Sequence, residues 1–366
     1  MNVLFIGVRK NEDEIISGPQ KVSNFLYNNI IKKHDNVYYY GIYEDEVPED
    51  PTRVVIINDM EVKGPVKGIE SFIKSKEIDV VYFARYHTSI ALYLIYLKFK
   101  YRFKLTYTVH GIVKKEAQIN KSFKFYHGML EGFFLSWCDR IIVISHALRD
   151  ELLKYHPNLK KEKIEIINNG VSVIPVREEI DIRNFYGLNS ENKIIFTAGI
   201  RKIKNIEELI EGFINNSNLY RKAYLLIAGE NDTEYANYII NKYKNYSNIK
   251  FIGLVNPNQM SNIYNQCDLY VQISEFETFG MSIVEALLHK RKILISKHLP
   301  IAQYFEKDEI YLYDREKDDL GNLIISCLEN KETINIKGYE RAVKLFDWEN
   351  ISEEYYKVFE DVCRFK

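Results

Sequence analysis

The feature that most constrains this chain is a rhythm of short β-branched apolar runs separated by longer stretches of helical periodicity, completed once and then begun again. The first series comprises NVLFIG from Asn2, VYYYGIY from Val37, RVVIIN from Arg53, DVVYFA from Asp79, KLTYTV from Lys104 and DRIIVIS from Asp139. Helical patterns such as Gln20–Lys33 and Ser89–Lys100 lie between them. Continuous apolar strands joined through helices build a parallel sheet covered on both faces. The stretch NNGVSVIPVREEIDIRN from Asn168, with Gly170, Pro175 and a cluster of charges, suits a hinge. A second series follows, ENKIIFTAGI, KAYLLIAGE, NIKFIGL, CDLYVQIS and KILIS. With 366 residues the chain is too long for one ordinary core and sufficient for two. The expected division is 1–172 and 173–348, with a helical segment 349–366 either ending the second domain or, as we expect, packing back on the first.

Several classes are disfavoured by what the sequence lacks. A formal net charge of -1 does not suit a chain that binds nucleic acid through bulk charge, which needs a surplus of Lys and Arg. Cys138, Cys267, Cys327 and Cys363 are far apart and form no zinc pattern, which fits a reducing compartment. The opening MNVLFIGVRKNEDE runs from a strand straight into charge, unlike a signal peptide, and no apolar run nears the roughly 20 residues that span a bilayer. The expected location is therefore cytoplasmic, or peripheral on the inner face of the plasma membrane. The first strand ends GVRKNEDE without the G-x-G-x-x-G turn of a dinucleotide-binding fold. No Asp-x-Asp occurs to hold a divalent cation through a diphosphate, so neither metal nor cofactor is expected.

Open parallel sheets bind ligands at the carboxyl ends of their strands, so those ends are the places to look. The most informative segment runs from Ser274 to Ser296, SEFETFGMSIVEALLHKRKILIS. Glu277 precedes a helix expected to begin near Gly280, and Glu285 lies inside it, about 8 Å along the axis from its start. That spacing can bridge a diphosphate and reach a ribose. Backbone N–H groups near Phe279 and Gly280 would face the phosphates, Glu277 sugar hydroxyls and Glu285 the ribose diol, since a carboxylate accepts two hydrogen bonds from vicinal hydroxyls. Taken as bare spacing, two such glutamates are better explained by chance and surface exposure. Gly18, in SGPQKVSNFL, leads into a helix whose amino terminus could attract an anion, or it marks only a turn.

The longer pattern S-x-x-E-x-F-G-x-x-x-x-E-A, which contains Glu277 and Glu285 as an E-x7-E element, resembles that of the family-four retaining glycosyltransferases. The resemblance covers nearly the whole chain. It implies the GT-B architecture, an α/β fold with two Rossmann-like domains facing a central cleft, and a hexosyltransferase that uses a nucleotide-sugar donor. Within it, Glu277 would contact the donor sugar, and Glu285 the ribose. TAGIRKIKNIEELIEGF resembles the family's strand, basic loop and helix, placing Arg201 and Lys204 on the diphosphate, with Lys202 an alternative to Arg201. YTVHG resembles the strand end that sets a histidine, here His110, beside the donor sugar; a lone histidine after a strand is otherwise more often structural. FIGLVNPNQMSNIYNQCDLYV resembles the stretch that forms the base pocket, implying contacts near Gly253 and Leu254, and SGPQKVSNFL resembles the acceptor-side loop containing Gly18. Thr278, Phe279 and Gly280 complete the implied donor site.

The chain departs from the family after Ala286, where Lys290 stands in place of a glycine and Lys292 in place of a proline. A non-glycine residue is disfavoured in a left-handed helix cap, so this helix is expected to end differently. Between Tyr93 and Phe125, Lys98, Lys100, Arg102, Lys104, Lys114, Lys115, Lys121 and Lys124 oppose the single acid Glu116 and interleave with Tyr and Phe. Such a segment suits an anionic membrane surface, or equally a solvated helix end beside a buried strand. The expected partners are a nucleotide sugar, a uridine diphosphate derivative, and a saccharide or lipid-linked glycan acceptor in bacterial surface-polysaccharide synthesis. Alternatives on the same fold are a nucleotide-sugar epimerase, a phosphorylase or a non-catalytic subunit.

Overall fold

The computed structural model describes residues 1–7, 18–42, 55–57, 61–64, 68–115, 126–173, 175–176 and 178–364. The chain divides into two compact units, one formed by Met1–Asn11, Ile16–Gly170 and Trp348–Lys366, the other by Glu12–Ile15 and Val171–Asp347.

The first unit holds an eight-stranded sheet: β1 (Val3–Gly7), β2 (Val37–Ile42), β3 (Val55–Ile57), β4 (Glu61–Gly64), β5 (Val80–Phe83), β6 (Lys104–Val109), β7 (Arg140–Val143) and β8 (Ile164–Ile166), in the order β3-β4-β2-β1-β5-β6-β7-β8. All neighbours are parallel except β3 and β4, which pair antiparallel at the edge. The sequence rhythm anticipates most of these strands, but the short strand β4, EVKG, inserted between the edge strand β3 and β2, carries no apolar run to announce it.

The C-terminal helix Trp348–Arg364 packs in this unit because Trp348, Ile351, Tyr355, Phe359 and Val362 recur at helical spacing and are all buried. Phe359 meets the Phe5 and Tyr82 rings at 6.0 and 5.7 Å. The Tyr355 hydroxyl joins a buried chain, 3.2 Å from Thr108 Oγ1, which accepts from the Tyr82 hydroxyl at 2.9 Å. These hydroxyls satisfy one another, so the tyrosines can sit at the sheet face without orphaned polar atoms. Gly170 is fixed by the same helix: a Cβ there would lie 2.3 Å from the Trp348 ring.

The second unit holds a parallel sheet of β9 (Lys193–Ala198), β10 (Ala223–Ala228), β11 (Ile249–Gly253), β12 (Leu269–Gln272), β13 (Lys292–Ser296) and β14 (Tyr311–Tyr313), ordered β11-β10-β9-β12-β13-β14. The strand order reverses between β9 and β12. In a doubly wound sheet that reversal opens a crevice where the loops leaving the two central strands part to opposite faces.

Candidate active site

Both loops at this switch point carry residues singled out in the sequence. After β9 the backbone turns through Gly199 (φ 98°) and a single 3-10 turn, Lys202–Lys204, and ends at Asn205 in the left-handed region (φ 53°). Two bonds tie this loop to the one after β12: Asn205 Nδ2 donates to the Ile273 carbonyl at 3.0 Å, and Glu275 N donates to the Ile203 carbonyl at 2.8 Å. Arg201 and Lys202 are exposed, whereas Lys204 is only 7% exposed. Its ammonium donates to Glu277 Oε1. Burial pushes the Lys204 pKa below its ordinary value, and the adjacent Glu277 carboxylate opposes that shift.

Glu277 Oε1 is the meeting point of three donors. Besides Lys204, it accepts from Gln272 Nε2 at 2.6 Å and from Ser274 Oγ at 3.1 Å. Among the described residues Oε2 accepts none. A carboxylate held by three donors on one oxygen keeps the lone pairs of the other available, and the side chain retains 15% exposure. Next along the chain, Phe279 is buried against Phe346 with ring centroids 5.3 Å apart, so it can contribute only backbone to a ligand. Thr278 is partly buried beside it.

Gly280 (φ 99°) is the N-cap of the helix Met281–Leu288, with no side chain capping it and no acid in its first turn. A side chain at Gly280 would be strained by that φ and would press on Ile283. The helix therefore offers an uncompensated positive end three residues after Glu277, the carboxylate that Lys204 holds. Farther along it, Glu285 Oε2 accepts from the buried Tyr264 hydroxyl at 3.2 Å, and its backbone carbonyl lies 2.7 Å from His289 Nδ1. The His289 ring lies tilted against Tyr264, centroids 5.1 Å apart; its pKa is depressed by burial, and it keeps a buried Nε2 with no hydrogen-bond partner among the described residues. Gly253 ends β11 with φ 71°, and Leu254 after it is exposed.

The expected change at the end of this helix does not occur. Lys290 adopts the left-handed conformation (φ 59°) that glycine would occupy, and Arg291 N closes the turn on the Ala286 carbonyl at 3.0 Å. The conformation survives because tertiary contacts over-determine it: Asn335 N donates to the Lys290 carbonyl at 2.8 Å, and the Lys290 ammonium sits 4.9 Å from the Tyr339 ring centre. Lys292, in the proline's place, has a structural use. Its Nζ donates to the Cys327 carbonyl at 2.6 Å near the carboxyl end of the helix Leu320–Glu329, where a cation is favourable.

In the first unit, His110 follows β6. The residue is half-buried, yet Nε2 is sealed with no partner among the described residues, and burial lowers its pKa to about 4. It is neutral near pH 7. The loop behind it is held by a residue the sequence did not flag: Glu131 is fully buried, accepts from Val113 N at 2.9 Å and Lys114 N at 3.2 Å, and pairs with His156 Nε2 at 3.0 Å. Gly18 opens the helix Gly18–Ile30; residues 8–17 before it lie outside the described residues.

The basic segment is less cationic in the fold than in the sequence. Lys98 pairs with Asp139 at 2.5 Å, Lys100 with Glu70 at 2.6 Å and Lys115 with Glu151 at 2.5 Å, while Lys121 and Lys124 lie outside the described residues. The helices Thr88–Tyr101 and Tyr126–Trp137 nevertheless expose Tyr96, Phe99, Met129 and Phe133, with Phe99 packed 4.6 Å from Trp137. No helix among the described residues is long and apolar enough to cross a membrane.

Comparison with known proteins assigns the two units. The model of glycosyl transferases group 1 matches residues 178–342 and that of glycosyltransferase family 4 matches residues 50–173. Mannosylfructose-phosphate synthase of Agrobacterium fabrum is 25% identical over 237 residues, 59% of this chain and 52% of that protein. Alpha-monoglucosyldiacylglycerol synthase of Acholeplasma laidlawii is 23% identical over 217 residues, 57% of this chain and 54% of that protein. The chain thus spans about half the length of these curated relatives. Among solved structures, Anabaena HepE in complex with UDP-glucose superposes with a TM-score of 0.73 at 16% identity, covering 99% of this chain and 100% of that one. With one family model on each unit and the same fold along its whole length, the chain belongs to the family-four glycosyltransferases of GT-B architecture.

Proposed function

We propose that the protein is a retaining hexosyltransferase that moves a sugar from a uridine diphosphate donor to a saccharide or glycolipid acceptor, without a metal ion. One observation carries the reading: at the switch point, Lys204 and an uncapped helix amino terminus accompany a carboxylate, Glu277, whose Oε1 is saturated and whose Oε2 is open among the described residues. Breaking the glycosyl–phosphate bond builds negative charge on the departing diphosphate. Lys204, exposed Arg201 and the helix dipole stabilise that charge more in the transition state than in the ground state. Glu277 Oε2 accepts donor-sugar hydroxyls, Glu285 the ribose diol, and the loop at Gly253 and Leu254 borders the base.

In this reading the acceptor hydroxyl attacks the anomeric carbon on the face that the diphosphate leaves. The new C–O bond forms as the C–O bond to phosphate breaks, and the acceptor proton passes to a phosphate oxygen. His110 of the first unit is neutral, so it can hydrogen-bond a sugar hydroxyl without adding positive charge. The names of two relatives, a sugar-phosphate synthase and a glycolipid synthase, support an acceptor of either kind. The exposed Tyr96, Phe99, Met129 and Phe133 favour docking of the first unit on a membrane surface in surface-polysaccharide assembly, through apolar contact more than through charge.

Calorimetric titration of UDP, GDP and their sugar derivatives into wild type and Glu285→Ala, with chelator present, tests the donor site. Micromolar binding of a uridine nucleotide that weakens in the variant supports it. Equal binding by both proteins, or none by either, removes it.

A further inference from the structure

The strand β12 ends with a polar residue in a run that is otherwise apolar, and that residue is among the most buried in the chain. Gln272 is 1% exposed. Its amide is committed on both sides. Nε2 donates to Glu277 Oε1 at 2.6 Å, while Oε1 accepts from the Tyr270 hydroxyl at 2.6 Å and from Ser282 Oγ at 2.8 Å. Rotating the amide by half a turn would set its oxygen against the Glu277 carboxylate, so that carboxylate and the two hydroxyls specify one orientation. Tyr270 is buried in the same strand, and Ser282 stands in the first turn of the helix capped by Gly280. The chain therefore links the strand, the helix and the loop that carries Glu277.

We propose that Gln272 is a positioning residue for the donor sugar: held by Tyr270 and Ser282, it fixes the rotamer of Glu277 so that Oε2 faces the sugar hydroxyls. The inference rests on the reading of Glu277 as the donor-sugar carboxylate. Lys204 alone could hold Glu277 in several rotamers, because an ammonium is a point charge with no directional fork. The amide supplies the missing direction, and Ser282 transmits it from the helix end assigned to the diphosphate.

The test uses the full chain, with UDP and UDP-glucose as probes, in wild type, Glu277→Gln, Gln272→Leu, Gln272→Met and Gln272→Glu, each checked for native unfolding temperature. UDP lacks the sugar, so Gln272→Leu and Gln272→Met should bind it within about twofold of wild type, yet bind UDP-glucose about tenfold more weakly, the scale of one charge-assisted hydrogen bond. Gln272→Glu places a second carboxylate against Glu277. The groups around that pair are Lys204 and, next to it, Arg201 from the loop after β9, Tyr270 from β12 and Glu285 from the helix. Two carboxylates at hydrogen-bond distance share a proton, which restores the Gln272 bond; raising the pH removes it. UDP-glucose affinity of Gln272→Glu should therefore fall as pH rises from 6 to 8.5 while that of wild type stays level. If Glu277→Gln loses UDP-glucose affinity but every Gln272 variant keeps it, with a level pH profile, the positioning role is overturned and the donor reading stands. If Glu277→Gln binds UDP-glucose as wild type does, the donor reading fails and this inference fails with it.

Discussion

Removing the Glu277 carboxylate should destabilise the protein as well as disable it, and the size of the effect follows from what the carboxylate leaves behind. In Glu277→Ala, the Lys204 ammonium loses its acidic partner while remaining nine-tenths buried, and the donors on Gln272 and Ser274 lose their acceptor. Breaking a buried pair from one side costs about 3–5 kcal/mol, and each orphaned neutral donor adds about 1 kcal/mol unless water replaces the oxygen. Because Glu277 is 15% exposed, water can enter the space, so the lower end, about 3 kcal/mol, is expected. Lys204→Met/Glu277→Ala removes both charges and should recover most of the loss. The sign with pH is distinctive. Lys204 has a folded pKa below its ordinary 10.5, so within that window the unfolded chain binds the extra proton and stability rises with pH. Without Glu277 the folded pKa drops further and the window extends to lower pH. Urea unfolding from pH 7 to 10 should then show the variant converging on wild type as pH rises. A Glu277→Ala protein within about 0.5 kcal/mol of wild type at pH 7, or one that diverges from it with rising pH, would refute the reasoning.

Arg201→Ala alters an exposed side chain, so the unfolding temperature should hold while UDP affinity falls about tenfold in calorimetry. Lys290→Gly relieves a left-handed lysine at the cost of its contact with Tyr339, and should raise stability by about 0.5–1 kcal/mol in urea unfolding. Phe359→Ala empties a site against Phe5 and Tyr82 and should cost about 3–5 kcal/mol, read in the same assay.

The two sheets were legible because a strand buried on both faces must be continuously apolar, and most of the parallel strands are. The exceptions are instructive. β14 is three residues, YLY, and β4 is EVKG, one strand in from the sheet edge; neither is long enough to separate from a loop by pattern. At the site, Glu277, Lys204 and Gly280 could be named because each stands in a spaced motif. Gln272 could not, because its meaning depends on a strand and a helix start brought together by the fold, although a glutamine inside CDLYVQIS was a visible irregularity. Charge was misjudged for a related reason. The acids that neutralise Lys98, Lys100 and Lys115 come from Asp139, Glu70 and Glu151, none of them inside the segment that looked uniformly basic. The Lys290 expectation failed because local propensity, worth about 1 kcal/mol, yields to the surrounding contacts.

The most direct test of the account is the anomeric configuration of a transferred sugar. The full chain is incubated with chelator, UDP-[13C]glucose and a panel of saccharide and diacylglycerol acceptors, and the C1 carbon of the product is followed by NMR. The account predicts an α-linked product, formed without metal and abolished in Glu277→Ala. A β-linked product, or an α-linked one whose formation survives Glu277→Ala, would contradict it.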